Sequence, residues 1–269
     1  MKKDIHSLLQ KKNRGEKIVS LTAYDFMTAR LEEEAGVDFI LVGDSMAMAV
    51  FGEETTLTAD LDVLIAHTKA VSRGAPDTLI VGDMPFGSYE CSDSQAVGNA
   101  VRFLSGGGAD AVKLEGGNSR SVSRVKAIID SGIPVMGHVG LLPQSIRKTG
   151  GYKVVYGDRR DELFEEAFAL QEAGVFSIVL EGIEEKLAGE LTEKLSVPTI
   201  GIGAGRYTDG QILVVNDMLG LSGEFKPRFL KRYAQLDSII LEALQAFSQE
   251  VRNGKFPSER NVYHSREGK

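Results

Sequence analysis

Short apolar runs that stop on an acidic residue recur along this chain. The acids that end these runs are Asp44, Asp83, Glu115 and Glu181. Runs of this kind, bounded by glycine and polar residues, are typical of strands buried on both faces of a parallel sheet. Because the carboxyl ends of parallel strands meet at one edge, we expect the four acids to converge there.

The distribution of apolar and polar positions along the chain predicts eight units, each a strand followed by a helix. The predicted strands cover residues 18–23, 38–43, 79–82, 111–114, 134–138, 176–180, 198–203 and 212–215. The predicted helices cover residues 26–35, 61–72, 92–104, 121–129, 161–173, 184–195, 208–211 and 227–251, and the pattern at 208–211 is weak. A strand and a helix that return about every thirty residues predict a (β/α)₈ barrel. A doubly wound open sheet is the alternative.

Two segments lie outside the repeat. A short helix is predicted at about residues 3–12, and a polar C-terminal tail at about 252–269 is expected on the surface or on a neighbouring subunit. We expect residues 1–269 to form a single domain.

A long polar loop separates the fifth strand from its helix, between residues 140 and 158. Loops of this length in compact domains are usually functional, and we expect this one to act as a lid.

Composition and charge narrow the classes of partner. The formal charge of −7 argues against a nucleic-acid partner, so an anionic substrate would need a local cation. Cys91 is the only cysteine, which excludes an intrachain disulfide and a cysteine-based zinc cluster. No long apolar segment follows the N-terminus, so neither a signal peptide nor a membrane span is expected. We therefore expect a cytoplasmic protein.

Three of the acids predict a metal site. Asp44, Asp83 and Glu115 follow the second, third and fourth strands, which makes them neighbours in a barrel. Two carboxylates about 4 Å apart repel each other by about 4 kcal/mol at an effective dielectric constant of 20, so a cation is needed among them. Oxygen ligands without cysteine indicate Mg²⁺ rather than zinc. The alternative is that each acid caps the next helix or pairs with an arginine.

Three further side chains near the predicted strand ends could act in chemistry. Lys113 lies two residues before Glu115 and points to the same face of its strand, where a lysine is costly unless it is paired. Glu181 follows apolar residues that would raise its pKa, which suits a general base, although it could instead cap the next helix. His138, at the end of the fifth strand, could be a ligand-binding or a structural residue.

A set of motifs distributed along nearly the whole chain resembles one known family. The motifs are Thr22-Ala23-Tyr24-Asp25, Val42-Gly43-Asp44-Ser45, Gly82-Asp83-Met84-Pro85-Phe86, Val112-Lys113-Leu114-Glu115-Gly116-Gly117, Pro134-Val135-Met136-Gly137-His138-Val139-Gly140, Pro143-Gln144-Ser145, Leu180-Glu181, Ile200-Gly201-Ile202-Gly203-Ala204-Gly205, Asp209-Gly210-Gln211 and Phe256-Pro257-Ser258-Glu259. Together they resemble ketopantoate hydroxymethyltransferase, also called 3-methyl-2-oxobutanoate hydroxymethyltransferase. The resemblance implies a (β/α)₈ barrel, assembled as a homodecamer, in the pantothenate pathway.

The resemblance also implies cofactors and roles for individual residues. It implies Mg²⁺ and the co-substrate 5,10-methylenetetrahydrofolate. Asp44, Asp83 and Glu115 resemble the metal-site acids, with Asp44 and Asp83 the closer ligands. The groups around the keto acid would be Asp44, Ser45, Asp83 and Lys113. Glu181 resembles the proton acceptor that would form the enolate of the keto acid.

One turn departs from the family pattern. Arg206-Tyr207-Thr208 stands where the family usually has a turn of the Pro-Gly-Cys type, after the seventh strand. None of the acids that carry the resemblance lies in this turn.

Two other classes of function are considered beside the transferase. A metal-dependent carbon–carbon lyase or phosphonomutase would also act on an α-keto acid through an enolate. Such enzymes typically use a cysteine or a lysine-rich loop as the acid, and Cys91 lacks that context. A non-catalytic barrel that only binds a keto acid is the second alternative, and no effector or DNA-binding segment supports it.

Overall fold

Eight parallel strands form a closed barrel in the computed structural model, which describes residues 2–223 and 226–264. The strands are β1 (Ile18–Thr22), β2 (Phe39–Val42), β3 (Leu79–Asp83), β4 (Ala111–Lys113), β5 (Val135–Gly140), β6 (Ser177–Glu181), β7 (Thr199–Ile202) and β8 (Gly210–Leu213). They pair in chain order, and β8 closes the barrel against β1. The predicted (β/α)₈ barrel is confirmed, and the doubly wound alternative is wrong.

Helices connect most of the strands. They are α1 (Ile5–Arg14), α2 (Phe26–Ala35), α3 (Met46–Ala49), α4 (Leu61–Gly74), α5 (Asp93–Ser105), α6 (Ser119–Asp130), α7 (Ile146–Thr149), α8 (Arg160–Ala173), α9 (Glu185–Lys194), α10 (Val215–Met218) and α11 (Leu236–Arg252). Local chemistry sets their ends. Asp25 accepts hydrogen bonds from the backbone N–H groups of Met27 and Thr28 at the start of α2. Gly36, at φ 85°, ends the same helix in the left-handed conformation that glycine adopts without strain.

The barrel interior is apolar in its lower layers. Side chains that point inward from every strand form one buried cluster with Leu8 of α1: Ile18, Phe39, Leu41, Leu79, Val81, Ala111, Met136, Val179, Ile200 and Ile212. Successive inward positions on a strand are two residues apart. The next inward position beyond Val81 is Asp83, beyond Ala111 it is Lys113, and beyond Val179 it is Glu181. The alternation of the strands therefore places polar groups above the apolar core.

Helix α1 covers the N-terminal end of the barrel. Leu8 is fully buried in the interior cluster. Lys11 Nζ lies 2.6 Å from Asp38 Oδ1, and Lys12 Nζ lies 2.7 Å from Asp209 Oδ2, at residues that directly precede β2 and β8. The predicted short helix outside the repeat thus closes the end of the barrel that is opposite the strand-end acids.

The last third of the chain differs from the predictions. The described chain has no helix between β7 and β8, because residues 210–213, which overlap the predicted helix at 208–211, pair with β1 and β7. The predicted helix at 227–251 begins only at Leu236. The backbone N–H groups of Tyr233 and Leu236 donate to the carbonyls of Met218 and Leu219 rather than to helical partners. These partners are distant in sequence, and helical periodicity does not reveal them.

The unusual turn after β7 is held by side chains of the turn itself, of α9 and of β8. Thr208 is fully buried, and its hydroxyl donates to the carbonyl of Gly210 at 2.8 Å. Arg206 Nε donates to Glu185 Oε1 at 2.7 Å. Gln211 Nε2 donates to the carbonyl of Gly205 at 2.9 Å. Arg206-Tyr207-Thr208 therefore forms a defined turn at this position.

Backbone contacts divide the chain into two compact units. One comprises the described residues up to Val215 together with Pro227–Leu230, and it contains the barrel. The other comprises Asn216 to Lys226 and the described residues from Lys231 onward. In this second unit no side chain of α11 is buried, and the rings of Phe247 and Phe256 meet edge to face at 5.4 Å. That the chain forms one domain stays a prediction.

None of the helices in the described ranges combines the length and the apolarity that a membrane crossing requires.

A buried glutamate lies on α2, which packs against α4. Glu32 is 4% exposed, and neither of its carboxyl oxygens has a hydrogen-bond partner among the described residues. Burial raises the pKa of Glu32 to about 8, and the charge of Asp25 adds to the effect. Since the carboxyl group binds a proton more tightly in the folded chain than in the unfolded chain, it favours folding at low pH. That contribution is lost as the pH rises towards 8.

We predict that Glu32→Gln stabilises the protein at neutral pH and has little effect in acid. The two proteins should be equally stable near pH 4.5, and the variant should be more stable by on the order of 3 kcal/mol at pH 7. Urea unfolding at a series of pH values measures the difference. Glu34→Gln, an exposed neighbour on the same helix, is the control. A difference that does not change with pH would contradict the prediction.

Candidate active site

The C-terminal end of the barrel gathers all seven residues that the sequence singled out. The residues are Asp44 and Ser45 after β2, Asp83 at the end of β3, Lys113 and Glu115 at the end of β4 and just beyond it, His138 in β5, and Glu181 at the end of β6. Five of them, all except Ser45 and Glu181, are 5% exposed or less. The strand ends therefore form a buried polar cluster rather than a set of separate surface groups.

A buried ion pair joins β3 and β4. The register of the two strands pairs Asp83 with Lys113, and Lys113 Nζ donates to Asp83 Oδ1 at 2.7 Å. Burial alone would lower the pKa of Lys113, but the charges of Asp83, Glu115 and Asp44 raise it above its ordinary value. Lys113 is therefore a permanent cation beneath the mouth of the barrel, and it is paired, as a lysine at an inward position requires.

Asp44 lies beside this ion pair. Its backbone N–H donates to Asp83 Oδ2 at 3.3 Å. The pKa of Asp44 is raised to about 7, first by burial and then by the charge of Asp83, although Lys113 and a hydrogen bond from Gln144 oppose the shift. Near neutral pH, Asp44 therefore exchanges between its neutral and its ionised form, and a cation bound beside it would favour the ionised form.

Glu115 and His138 fill the next part of the cluster. Burial raises the pKa of Glu115 well above its ordinary value, and burial lowers the pKa of His138 well below its ordinary value. The imidazole is thus neutral, with Nδ1 3.7 Å from Glu115 Oε1 and Nε2 3.4 Å from Glu181 Oε2. Glu115 Oε1 and both ring nitrogens have no hydrogen-bond partner within the described part of the chain. Buried polar atoms of this kind are expected to meet a ligand, an ion or water.

Glu181 is the acid of the cluster that reaches solvent. Its side chain is 22% exposed. Burial raises the pKa of Glu181 to about 7, Lys113 opposes the shift, and Asp83 adds to it. A carboxyl group with a pKa near neutrality, at the open end of a polar cluster, can take up and release a proton at working pH.

Ser45 is held by a chain of hydroxyl groups. Its Oγ lies 2.9 Å from the hydroxyl of Tyr24, which accepts a hydrogen bond from Thr22 Oγ1 at 3.0 Å. The backbone N–H of Val215 donates to the same Thr22 oxygen at 3.2 Å. Thr22 and Tyr24 belong to a motif that carries the family resemblance, yet the sequence assigned them no role because hydroxyl groups leave no distinctive spacing.

Two further residues of the site, Gln144 and Tyr89, were not predicted from the sequence. Gln144 Nε2 donates to Asp44 Oδ2 at 2.9 Å, and its backbone N–H donates to Glu115 Oε2 at 3.0 Å. The hydroxyl of Tyr89 donates to Gln144 Oε1. Both residues lie on loops, where no periodicity indicates which side chain points into the barrel. The position of Gln144 within the motif Pro143-Gln144-Ser145 was the one available signal.

The donor set fits a hard cation bound with few protein ligands. Four carboxyl groups share one buried ammonium group, and Glu115 Oε1 has no partner in the described chain. Among the described residues, no group of three or more His, Cys, Asp or Glu side chains is arranged to hold a metal ion on its own. Zinc sites require such a group, whereas Mg²⁺ binds one or two carboxylates and keeps water or substrate oxygens.

Comparison with known proteins agrees with the motifs. A family model described as ketopantoate hydroxymethyltransferase matches residues 2–259. The 3-methyl-2-oxobutanoate hydroxymethyltransferase of Pseudothermotoga lettingae is 55% identical over 260 residues, 96% of this chain and 98% of that protein. The enzyme of the same name from Syntrophomonas wolfei is 50% identical over 97% of this chain and 95% of its own.

Solved structures of other enzymes share the fold. A phosphonopyruvate hydrolase in complex with oxalate and Mg²⁺ aligns with a TM-score of 0.63 at 12% identity, covering 98% of this chain and 93% of that one. A 2,3-dimethylmalate lyase of the PEP mutase/isocitrate lyase superfamily aligns with a TM-score of 0.62 at 18% identity, covering 96% of this chain and 91% of that one. At these identities the likeness concerns the fold alone.

The buried ion pair generates a stability prediction. We expect Lys113→Met to lower the free energy of unfolding of metal-free protein by about 3–5 kcal/mol at pH 8, because it leaves Asp83 and its neighbours without a cation. The loss should be smaller at pH 6, where Asp44 and Glu181, with pKa values of about 7, hold protons. Urea unfolding in the presence of a chelator measures both values.

The matched control is Lys126→Met, which removes an exposed lysine from α6. This change should alter stability by no more than about 0.5 kcal/mol at either pH. An equal loss in Lys113→Met at pH 6 and pH 8 would contradict the electrostatic account of the cluster.

Proposed function

The chain belongs to the ketopantoate hydroxymethyltransferase family, and we propose that it transfers a hydroxymethyl group from 5,10-methylenetetrahydrofolate to 3-methyl-2-oxobutanoate. The products are 2-dehydropantoate and tetrahydrofolate, and one water molecule is consumed. The observation that supports this most directly is the cluster at the barrel mouth, where a glutamate with a pKa of about 7 lies beside a neutral imidazole and a buried ammonium group.

We assign the keto acid to the part of the cluster around Lys113. The ammonium group would balance the carboxylate of the substrate, or the negative charge that develops on its keto oxygen. Asp83 holds Lys113 in place through the 2.7 Å hydrogen bond. The hydroxyl of Ser45, fixed by Tyr24, would donate to a substrate oxygen beside Asp44.

The same acids would hold Mg²⁺. Asp44 and Asp83 are the proposed closer ligands, and Glu115 is the third acid of the site, with Oε1 free of hydrogen bonds among the described residues. When bound, Mg²⁺ supplies Lewis-acid stabilisation of the negative charge on the keto oxygen. The excess of carboxyl groups over cations in this cluster supports the assignment.

Glu181 is the proposed base. It would take the proton from the β-carbon of the keto acid, and the resulting carbon nucleophile would attack the methylene carbon of the folate. One carbon–carbon bond forms, and both carbon–nitrogen bonds that join the methylene carbon to the folate break. Water supplies the oxygen and the proton of the new hydroxyl group, while its other proton and the β-proton taken by Glu181 pass to the two folate nitrogens. Neutral His138, 3.4 Å from Glu181 Oε2, would support the carboxyl group without adding charge.

The relatives favour the transferase over the two other classes of function. A lyase or phosphonomutase would use the same fold, but proteins with those activities share only 12–18% of the sequence in the alignments above. The curated transferases share 50–55% over nearly the whole chain. A non-catalytic keto-acid-binding barrel would not need a base with a pKa near neutrality.

We also propose, on the family resemblance, a cytoplasmic homodecamer acting in pantothenate and coenzyme A biosynthesis.

We predict that Glu181→Gln abolishes proton exchange while the substrate still binds. In D₂O with Mg²⁺ and without folate, the wild-type protein should exchange the β-proton of 3-methyl-2-oxobutanoate, observed by proton NMR. The variant should exchange it at least 10²-fold more slowly, the usual contribution of a general base. Saturation-transfer NMR of the substrate methyl groups checks that binding is retained.

Glu193→Gln, at an exposed glutamate of α9, is the matched control and should exchange at the wild-type rate. Full exchange by Glu181→Gln would exclude Glu181 as the base. If the wild-type protein produced no hydroxymethyl product after methylenetetrahydrofolate is added, the transferase assignment itself would be wrong.

A further inference from the structure

Gln144 contacts four groups around the acid cluster. Its Nε2 donates to Asp44 Oδ2 at 2.9 Å and to the carbonyl of Met84 at 3.0 Å, while its Oε1 accepts from the hydroxyl of Tyr89. Its backbone N–H donates to Glu115 Oε2 at 3.0 Å. Gln144 is 7% exposed although it lies on the loop that follows β5. One loop residue therefore joins groups that follow the second, third and fourth strands of the barrel.

The network determines which end of the amide faces Asp44. The backbone N–H of Glu115 donates to the hydroxyl oxygen of Tyr89 at 3.4 Å, so the single proton of that hydroxyl is available for Gln144 Oε1. The carbonyl of Met84 can only accept, so it requires the N–H end of the amide. With Oε1 turned to Tyr89 and one N–H to Met84, the second N–H points at Asp44. The orientation follows from these partners, without reference to the charge of Asp44.

We infer that Gln144 is a positioning residue for the metal-site acids, an inference that rests on the proposed function. Its side chain and its backbone each hold one oxygen of a different carboxylate, Asp44 Oδ2 and Glu115 Oε2. The remaining oxygen of Glu115, Oε1, is buried and has no hydrogen-bond partner among the described residues. Gln144 thus limits the rotation of both carboxylates and leaves an oxygen available for a cation.

Neither a carboxyl group nor a methyl group at this position could do the same. In Gln144→Glu, both Asp44 Oδ2 and the Met84 carbonyl would face an acceptor where they now have a donor. In Gln144→Ala, the carboxylate of Asp44 would lose its donor and be free to rotate. Tyr89→Phe removes only the hydroxyl that orients the amide, so it tests the network with the smallest change.

The test is the affinity of the metal-free protein for Mn²⁺, measured by electron paramagnetic resonance without substrate. Mn²⁺ shares the preference of Mg²⁺ for oxygen ligands. Removing a partner that orients a ligand typically costs about 10- to 100-fold in metal affinity, so Gln144→Ala and Gln144→Glu should each bind Mn²⁺ at least about tenfold more weakly. Tyr89→Phe should show a smaller loss, while its thermal unfolding midpoint stays within a few degrees of wild type.

The matched control is Gln95→Ala. Gln95 also holds a loop at the mouth of the barrel, through the N–H of Cys91 and the carbonyl of Gly87, but it contacts none of the acids. A structural role for loop glutamines in general would weaken Mn²⁺ binding in Gln95→Ala as well, whereas the inference predicts unchanged affinity in this variant.

Asp44→Asn separates the two ways in which the account can fail. If Asp44→Asn loses Mn²⁺ binding while Gln144→Ala and Tyr89→Phe bind it as the wild-type protein does, Gln144 does not position the acids and the proposed function stands. If the wild-type protein binds no Mn²⁺, the metal site of the proposed function is wrong, and the inference about Gln144 falls with it. A loss in Tyr89→Phe with normal stability supports the inference even where Gln144→Ala folds poorly.

Discussion

The burial of several carboxyl groups beside a single ammonium group is the constraint on which this structure depends. Asp44, Asp83 and Glu115 are each 5% exposed or less. Within this cluster of described residues, Lys113 is the buried side chain that carries a permanent positive charge. Removing an ionised carboxylate from water costs several kcal/mol unless charges and donors compensate it. The pKa values of Asp44 and Glu181 are raised because the protein alone does not fully compensate the free-energy cost of burying their ionised forms.

The barrel meets this constraint by separating an apolar layer from a polar one on the same strands. Inward positions in the lower layers carry residues such as Val81 and Val179, and the position above each carries Asp83 or Glu181. The lower layers supply the hydrophobic burial that holds the strands together. The upper layer can then hold acids whose burial opposes folding, and the proposed function uses these acids for metal binding and proton transfer.

The fold could be predicted because strand and helix units return about every thirty residues, and the strand-end residues could be predicted because they follow the apolar runs directly. An inward-pointing residue in a parallel strand is identified by counting, so the positions of Lys113 and Glu181 are predictable from the sequence. Gln144 and Tyr89 could not be found in this way, because their loops have no periodicity and their partners are distant in sequence. The predicted helix at 227–251 was wrong over residues 227–235 for the same reason, since the backbone N–H groups of Tyr233 and Leu236 donate to Met218 and Leu219. The fold itself does not select the reaction, because a hydrolase and a lyase share it at 12–18% identity.

The measurement that tests the central claim most directly is calorimetric titration of Mg²⁺ into metal-free protein, in buffers of different ionisation enthalpy. Because Asp44, with a pKa of about 7, must be ionised to bind the ion, binding at pH 6.5 should release protons. The observed heat should therefore depend on the buffer, and the affinity should rise between pH 6 and pH 8. Asp44→Asn should lose both effects. An affinity that is independent of pH and a heat that is independent of the buffer would show that the buried acids are not the cation site.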